Sequence, residues 1–331
     1  MASVSGTFFV NPIPSALAHY QRESEETWNR IGQDISVVDD YVSVEGRSGA
    51  TGKAQALLGA VASPFRLRRR TDGLILVAWP SLGLLEPHLW HSSSQATAII
   101  VHDPVPLRRQ YGFGRLPEFL ARHPRRGAPA LIAHSPDAER ELVRLFPAHT
   151  VLGVLHPILT SQVPINEDSE TVLVAGQYKP ARDLELLAKL GPRLRRLGFR
   201  PRIVGRGWPD SLDGWEVESR FLSEPELDAE LAGASTMLLP YRHYFQSGIA
   251  IRALEQGTLT VGSRTSFIES LFGADSPSIV HNASDVENWV RAIQDTHTRP
   301  AAAREAHARY VGLCDESWTA FLGEPRAQQW Q

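Results

Sequence analysis

Short runs of uninterrupted apolar residues alternate with helix-patterned stretches along almost the whole chain, and that alternation leaves few folds open. Gly6–Val10, Ile35–Val38, Gly73–Trp79, Ala96–Val101, Ala130–Ala133 and Thr150–Leu155 read as strands in the first half. Thr171–Ala175, Pro201–Val204, Thr236–Pro240 and the run around Thr260-Val261-Gly262 read as strands in the second. Strands that are apolar on both faces, separated by helices, mean parallel sheets covered on both sides. Helices are expected from Ser15 as N-cap through Ile31, over 53–69, after Ser135-Pro136-Asp137, over Leu184–Leu197, after the capping box Ser223-Glu224-Pro225-Glu226 through Ala232, after a second box at Ser284–Glu287, and over the last 25 residues. Tyr310, Trp318 and Phe321 are the expected anchors of that last helix. Residues 160–170 are polar and break the alternation, as a linker would. With 331 residues, two domains of about 150 residues each are expected. The fold class is α/β, two Rossmann-like doubly wound parallel-sheet domains facing a cleft. The boundaries fall at 1–158, 159–308 and 309–331, the last segment being a helix returning to the first domain.

The composition narrows the function. Formal net charge is -3, so no global positive field points to nucleic acid. A single cysteine, Cys314, excludes an internal disulfide and a thiolate metal cluster. No apolar run approaches the length of a membrane span, and the N-terminus lacks a basic region followed by an apolar one, so a cytoplasmic protein is expected. Arginines cluster at Arg66/Arg68/Arg69/Arg70, Arg122/Arg125/Arg126 and Arg193/Arg195/Arg196. Such clusters are either solvated faces or a peripheral contact with anionic lipid at the inner face of the membrane.

Residues 240–262 carry the densest chemistry. After the loop with Tyr241 and Gln246, a helix opens on Ser247-Gly248-Ile249 and carries Glu255 two turns later. A helix opening offers backbone N–H groups and the positive end of its dipole to an anion. A glutamate further down the same face suits a ribose, or the segment is a core helix that tolerates a glutamate. In Gly176-Gln177-Tyr178-Lys179-Pro180-Ala181-Arg182, Lys179 and Arg182 follow a strand and either neutralise a diphosphate or form an ordinary basic loop. Gly205-Arg206-Gly207 after the next strand permits close backbone approach or a simple turn. With Trp208 and Pro209 following, it is no dinucleotide fingerprint. Backbone groups of Phe221 and Leu222 either meet a nucleobase or pack. In the first half, His102 ends a strand where it either is a structural histidine or bonds a sugar hydroxyl, with Asp103 orienting it or the acceptor. His156-Pro157 reads as a structural bend and Asp39-Asp40 as surface charge.

On these residues the chain resembles the retaining, family-4-like group of GT-B glycosyltransferases. That family has a strand ending in Gly-Arg with a lysine six positions after the glycine. Gly176 matches the glycine, Gln177 stands for the arginine and Arg182 for the lysine. The family's Glu-x7-Glu motif maps onto Ser247 through Glu255, with serine in place of the first glutamate. His102-Asp103-Pro104 is similar to the family's pair beside the donor sugar, whereas Asn11-Pro12-Ile13-Pro14 replaces its frequent Gly-Gly loop. The resemblance implies transfer of a sugar from a nucleotide-sugar donor to a glycan, lipid-linked or small-molecule acceptor, with retention of configuration. The catalytic set it implies is His102, Asp103, Lys179 and Arg182. The nucleotide set is Gly176, Gln177, Gly205, Arg206, Phe221, Leu222, Tyr241, Gln246, Ser247, Gly248, Ile249 and Glu255. The donor is a co-substrate, so no cofactor and no metal is expected. A nucleotide-sugar epimerase and an inactive sugar-nucleotide-binding homologue remain open alternatives.

Overall fold

The computed structural model describes residues 4–38, 58–59, 61–67, 71–92, 96–105, 112, 114–161 and 168–323. Asp39, Asp40, Arg68, Arg69, Arg70 and the tail after Gly323 lie outside them, as do the ends of the 53–69 helix and the middle of the linker. The chain divides into two compact units, Met1–Pro157 with Cys314–Gln331, and Ile158–Leu313.

In the first unit, β1 (Val4–Val10), β2 (Ile35–Val37), β3 (Thr71–Val77), β4 (Thr97–Ile100), β5 (Ala130–Ala133) and β6 (Val151–Gly153) form one sheet in the order β2-β1-β3-β4-β5-β6. Every pairing is parallel. Its helices are α1 (Ala18–Arg30), α2 (described over 61–67), α3 (Glu86–Leu89), α4 (Arg115–Ala121) and α5 (Pro136–Leu145). Residues of β4 and β5 are buried throughout, as two covered faces require. Ser135 caps α5 as expected, its hydroxyl accepting the Ala138 N–H at 3.2 Å. The start of α1 differs from expectation. Leu17, not Ser15, is the N-cap, and no side chain caps it. Asn11 instead ties the preceding loop, accepting the Ile13 N–H at 3.1 Å and donating to Gln21 Oε1 at 3.0 Å. An Asx turn of this kind competes with a serine cap for the geometry of the first turn.

In the second unit, β7 (Thr171–Ala175), β8 (Arg200–Val204), β9 (Glu216–Glu218), β10 (Thr236–Leu239), β11 (Thr260–Ser263) and β12 (Ile279–Val280) form a second all-parallel sheet in the order β12-β11-β10-β7-β8-β9. Read from the other edge, this is the doubly wound nucleotide-binding order, and the winding reverses between β7 and β10. Its helices are α6 (Leu184–Arg196), α7 (Glu224–Ala232), α8 (Gly248–Glu255), α9 (Ser266–Phe272), α10 (Val286–His297) and α11 (Ala302–Gly323). The capping box at Ser223 and Glu226 is present. The box expected at Ser284 is displaced by one residue, because Asp285 caps α10 through its own carboxylate.

The last residues of α11 belong to the first unit. Trp318 is fully buried, its ring 5.6 Å from that of Trp28, and its Nε1 donates to the Leu155 carbonyl at 3.0 Å. Asp315 takes a two-pronged bond from Arg30, with Nε–Oδ2 at 2.9 Å and Nη2–Oδ1 at 2.6 Å. Cys314 is buried beside them, with its Sγ 3.5 Å from the His156 carbonyl oxygen. Burial pushes its thiol up to about 12, against the opposing pull of Arg30. Removing the Trp318 side chain takes away both an interior packing element and a hydrogen bond. Trp318→Ala should therefore cost about 3–5 kcal/mol in urea unfolding, the scale of large interior truncations.

Candidate functional site

Ligands of doubly wound sheets bind outside the carboxyl ends of the strands where the winding reverses. In the second unit that point lies between β7 and β10, and two loops meet there. The β7 loop is laced to the β10 loop by backbone bonds from Asp183 N to the Pro240 carbonyl (2.6 Å) and from Arg242 N to the Ala181 carbonyl (3.0 Å). Arg182 and Tyr241 form an isolated bridge between them. Asp183 caps α6 and pairs with Arg242, whose guanidinium holds its carboxyl below the usual carboxylate range.

The β7 and β8 loops are also pressed together. Gly176 (φ 92°) and Gly205 (φ 135°) both occupy left-handed backbone. A Cβ on Gly205 would lie 2.3 Å from the Gly176 carbonyl oxygen, so no other residue fits. Trp208 Nε1 donates to that same carbonyl at 2.9 Å. The close approach expected of Gly205 is therefore real, but backbone and an indole fill it.

Arg182 differs from the expected phosphate cation. It is 4% exposed, and its guanidinium lies 4.9 Å from the ring centres of both Trp208 and Tyr241. Nε donates to the Tyr241 hydroxyl at 3.1 Å and Nη2 to the Ala175 carbonyl at 2.7 Å. Desolvation lowers its pKa. Arg182 is a strut that joins the ends of β7, β8 and β10. Lys179 on the same loop is half-buried and has no side-chain partner among the described residues. Arg206 is exposed and reaches Gln177 Oε1 at 3.3 Å.

The start of α8 is open in the way an anion site requires. Ser247 is the N-cap in extended backbone, yet its side chain makes no capping bond. Its carbonyl accepts the N–H groups of Ala250 and Ile251, so those of Gly248 and Ile249 have no partner within the helix. Gly248 is exposed, and a Cβ there would meet nothing within 4 Å. Gln246 beside it is half-buried. Glu255 has a different place from that expected. It is the last residue of α8, 1% exposed, and its Oε1 accepts the Leu159 N–H at 2.9 Å. A carboxylate held that way braces the entry of the chain into this unit rather than presenting itself to a ribose. Phe221 is 72% exposed beyond edge strand β9, and the Arg220 guanidinium occupies its carbonyl at 3.1 Å. Leu222 next to it is half-buried.

In the first unit the carboxyl ends of three neighbouring strands each deliver a histidine. His102 follows β4, His134 follows β5 and His156 follows β6, all buried around Tyr20 of α1. Ring centres lie 4.7 Å (Tyr20–His102), 5.0 Å (Tyr20–His156) and 5.1 Å (His134–His156) apart. Tyr20 bonds His134 Nε2 at 2.8 Å, while His134 Nδ1 lies 2.7 Å from the Val154 carbonyl oxygen. That carbonyl requires a proton on Nδ1, so Nε2 accepts the tyrosine hydroxyl. His102, expected to grip a sugar, is 6% exposed. Its Nε2 donates to the Ala78 carbonyl at 3.0 Å, and Trp79 stacks on its ring. Asp103 next to it is half-buried. The sequence alone singles out neither Tyr20 nor His134, and His156-Pro157 reads there as a structural bend. The shared signal, a histidine within three residues of each strand end, was present.

Burial, reinforced by the neighbouring imidazole of His134, lowers His102 to about 3. Burial takes His134 to about 4 and His156 well below its ordinary value of 6.5. All three are neutral near pH 7. Between pH 6.5 and 4 the unfolded chain binds protons that the folded one refuses, so stability falls with pH by about 1.4 kcal/mol per unit per histidine. His134→Asn, uncharged at every pH, should make that slope shallower by about 1.4 kcal/mol per pH unit in urea titrations at pH 6.5, 5.5 and 4.5. In the second unit, Gly205→Ala should destabilise by roughly 3 kcal/mol, because both the backbone conformation and the space are denied.

No protein-family model matches the sequence, and no curated protein does. Solved structures match in shape. A sucrose-phosphate synthase from Thermosynechococcus elongatus aligns with a TM-score of 0.65 and 14% identity over 95% of this chain and 96% of that one. A UDP-forming α,α-trehalose-phosphate synthase from Burkholderia vietnamiensis aligns at 0.61 and 10% identity over 97% and 98%. TarM aligns at 0.58 and 12% identity over 81% of this chain, which spans 58% of TarM's length. At such identities the likeness is one of fold: two Rossmann-like units, each built on a parallel six-stranded sheet, as in GT-B glycosyltransferases.

Proposed function

We propose that the chain is a glycosyltransferase whose second unit binds the nucleoside diphosphate of a nucleotide-sugar donor at the carboxyl ends of β7 and β10. The observation that carries this reading is the start of α8. Two N–H groups there lack helical partners, the cap serine leaves them uncovered, and the helix is the next element after β10, one of the two strands between which the winding reverses. Such a helix end favours phosphate oxygens through both its N–H groups and its dipole. Lys179 supplies a positive charge on the neighbouring loop, while Arg182, Tyr241 and Trp208 hold that loop in place. The fold neighbours support the donor class. A mutant of S. aureus TarM is seen in complex with fondaparinux, alpha-GlcNAc-glycerol and UDP, and the pneumococcal O-GlcNAc transferase GtfA with UDP and GlcNAc.

In this reading the departing diphosphate gains charge as the glycosidic bond lengthens. Gly248 and Ile249 N–H and Lys179 stabilise that charge where it develops. Fixed donors of this kind do the work of a metal, so transfer proceeds in the presence of a chelator, with retention of the anomeric configuration. The acceptor falls to the first unit. Glu255 and Arg182 act as braces of the site rather than as ligands.

Gly248→Pro tests the helix end. Proline is tolerated at the first helical position, Ser247 already has the extended backbone that precedes a proline, and one donor is lost. In calorimetric titration with UDP, GDP and ADP, one nucleotide should bind the wild-type chain. Gly248→Pro and Lys179→Met should each weaken it about 10-fold or more, the scale of one hydrogen bond to a charged group. Unchanged affinity in both variants, with the fold intact, would remove the phosphate from this helix end.

A further inference from the structure

Most arginines in the described structure have an answer. Arg30 meets Asp315, Arg144 meets Glu141, Arg202 meets Glu230, Arg242 meets Asp183 and Arg252 meets Asp228. The cluster near the end of α6 is answered too. Arg193 pairs with Glu287, Arg195 donates to the Gly214 carbonyl and Arg196 to that of Pro192. The segment 115–126 of the first unit is different. Arg115, Arg122, Arg125 and Arg126 are all exposed, and none has a side-chain partner among the described residues. Its one carboxylate, Glu118, acts electrostatically on Arg144 of α5.

The same segment exposes apolar side chains where a soluble helix would carry polar ones. Leu116 is 67% exposed and Phe119 59% exposed. The inner side of α4 and its following turn is formed by Pro117, Leu120, Ala121 and Pro124, which are buried or half-buried. The exposed stripe therefore holds Arg115, Leu116 and Phe119 on α4 and Arg122 at its C-cap, with Glu118 exposed among them and Arg125 and Arg126 following in the chain beyond the helix. Single exposed leucines are ordinary. Two large exposed apolar groups beside four guanidinium groups that have no side-chain partner among the described residues, in a chain of net charge -3, suit a surface that is both anionic and apolar.

We propose that this stripe docks on the surface of an anionic lipid bilayer, with Leu116 and Phe119 entering the acyl boundary and the arginines meeting headgroup phosphates. Charge complementarity and the apolar pair select this occupant together. A nucleic acid offers phosphates but no apolar layer for Leu116. A bilayer offers both, and long arginine side chains reach its headgroups while the apolar residues go deeper. No described helix is long and apolar enough to cross a membrane, so the contact is peripheral.

The test uses the full chain and sedimentation with vesicles of phosphatidylcholine alone or mixed with phosphatidylglycerol, at low and high salt. The chain should sediment with the mixed vesicles, and less so as salt rises. Removing arginines among 115, 122, 125 and 126 as alanines should weaken partition about five-fold each. L116S/F119S should weaken it about ten-fold or more at unchanged melting temperature. Tryptophan emission of F119W should shift to the blue on the mixed vesicles. Alanines at Arg193, Arg195 and Arg196 should leave partition as in the wild type. Equal binding to neutral vesicles, no spectral shift in F119W, or equal losses from the Arg193 cluster would overturn the proposal. So would an oligonucleotide that binds L116S/F119S as tightly as the wild type and displaces the wild type from vesicles.

Discussion

The second unit is organised around a contact between two pieces of backbone. The Gly176 carbonyl and the Gly205 Cα meet so closely that a methyl group has no room, and an indole N–H then closes over the same carbonyl. Everything at that edge follows from the contact. It brings the β7 and β8 loops to one level, leaves a slot for the Arg182 guanidinium between two aromatic rings, and lets that guanidinium reach the free carbonyl of Ala175. The lacing between the β7 and β10 loops then anchors the first residues of the loop that leads to α8. A helix end can serve an anion only if it is held still, and here the stillness comes from glycine, tryptophan and a buried cation acting together.

The first unit reaches the same end by other means. Its carboxyl edge is closed by three imidazoles and a phenol, each polar atom that the geometry resolves being turned to a carbonyl or to a neighbour. Such a cluster is costly to leave unsatisfied, and satisfied it specifies one arrangement of β4, β5, β6 and α1. It also keeps the rings uncharged at neutral pH, so this edge contributes shape and hydrogen bonding rather than positive potential.

Much of this was legible in the residues, and the boundary of legibility is physical. Buried parallel strands announce themselves, and β5, β7 and the helix after Ser223 have the bounds that apolarity and capping chemistry assign them. β9 and β12 do not. Glu216-Val217-Glu218 is a polar edge strand and Ile279-Val280 is two residues long, and neither can carry a periodic signal. At the candidate site, the open start of α8 could be read from Ser-Gly, because caps are local. The roles of Arg182 and Glu255 could not. A cation and a carboxylate near a strand end look alike whether they face a ligand or the interior, and the rings that enclose Arg182 come from 26 and 59 residues away along the chain. The histidine cluster was legible only as a histidine near each of three strand ends, since its members are brought together by strand order.

Cys314 carries one more implication. The chain has a single thiol, and it lies buried with its proton held to about pH 12. The thiolate is the form that attacks disulfides and alkylating reagents. Burial thus shields Cys314 from such reagents and from a second copy's thiol while the fold is closed. Modification of Cys314 reports on opening of the first unit at the end of α11, and a cysteine placed anywhere on the surface becomes the sole reactive position of the molecule.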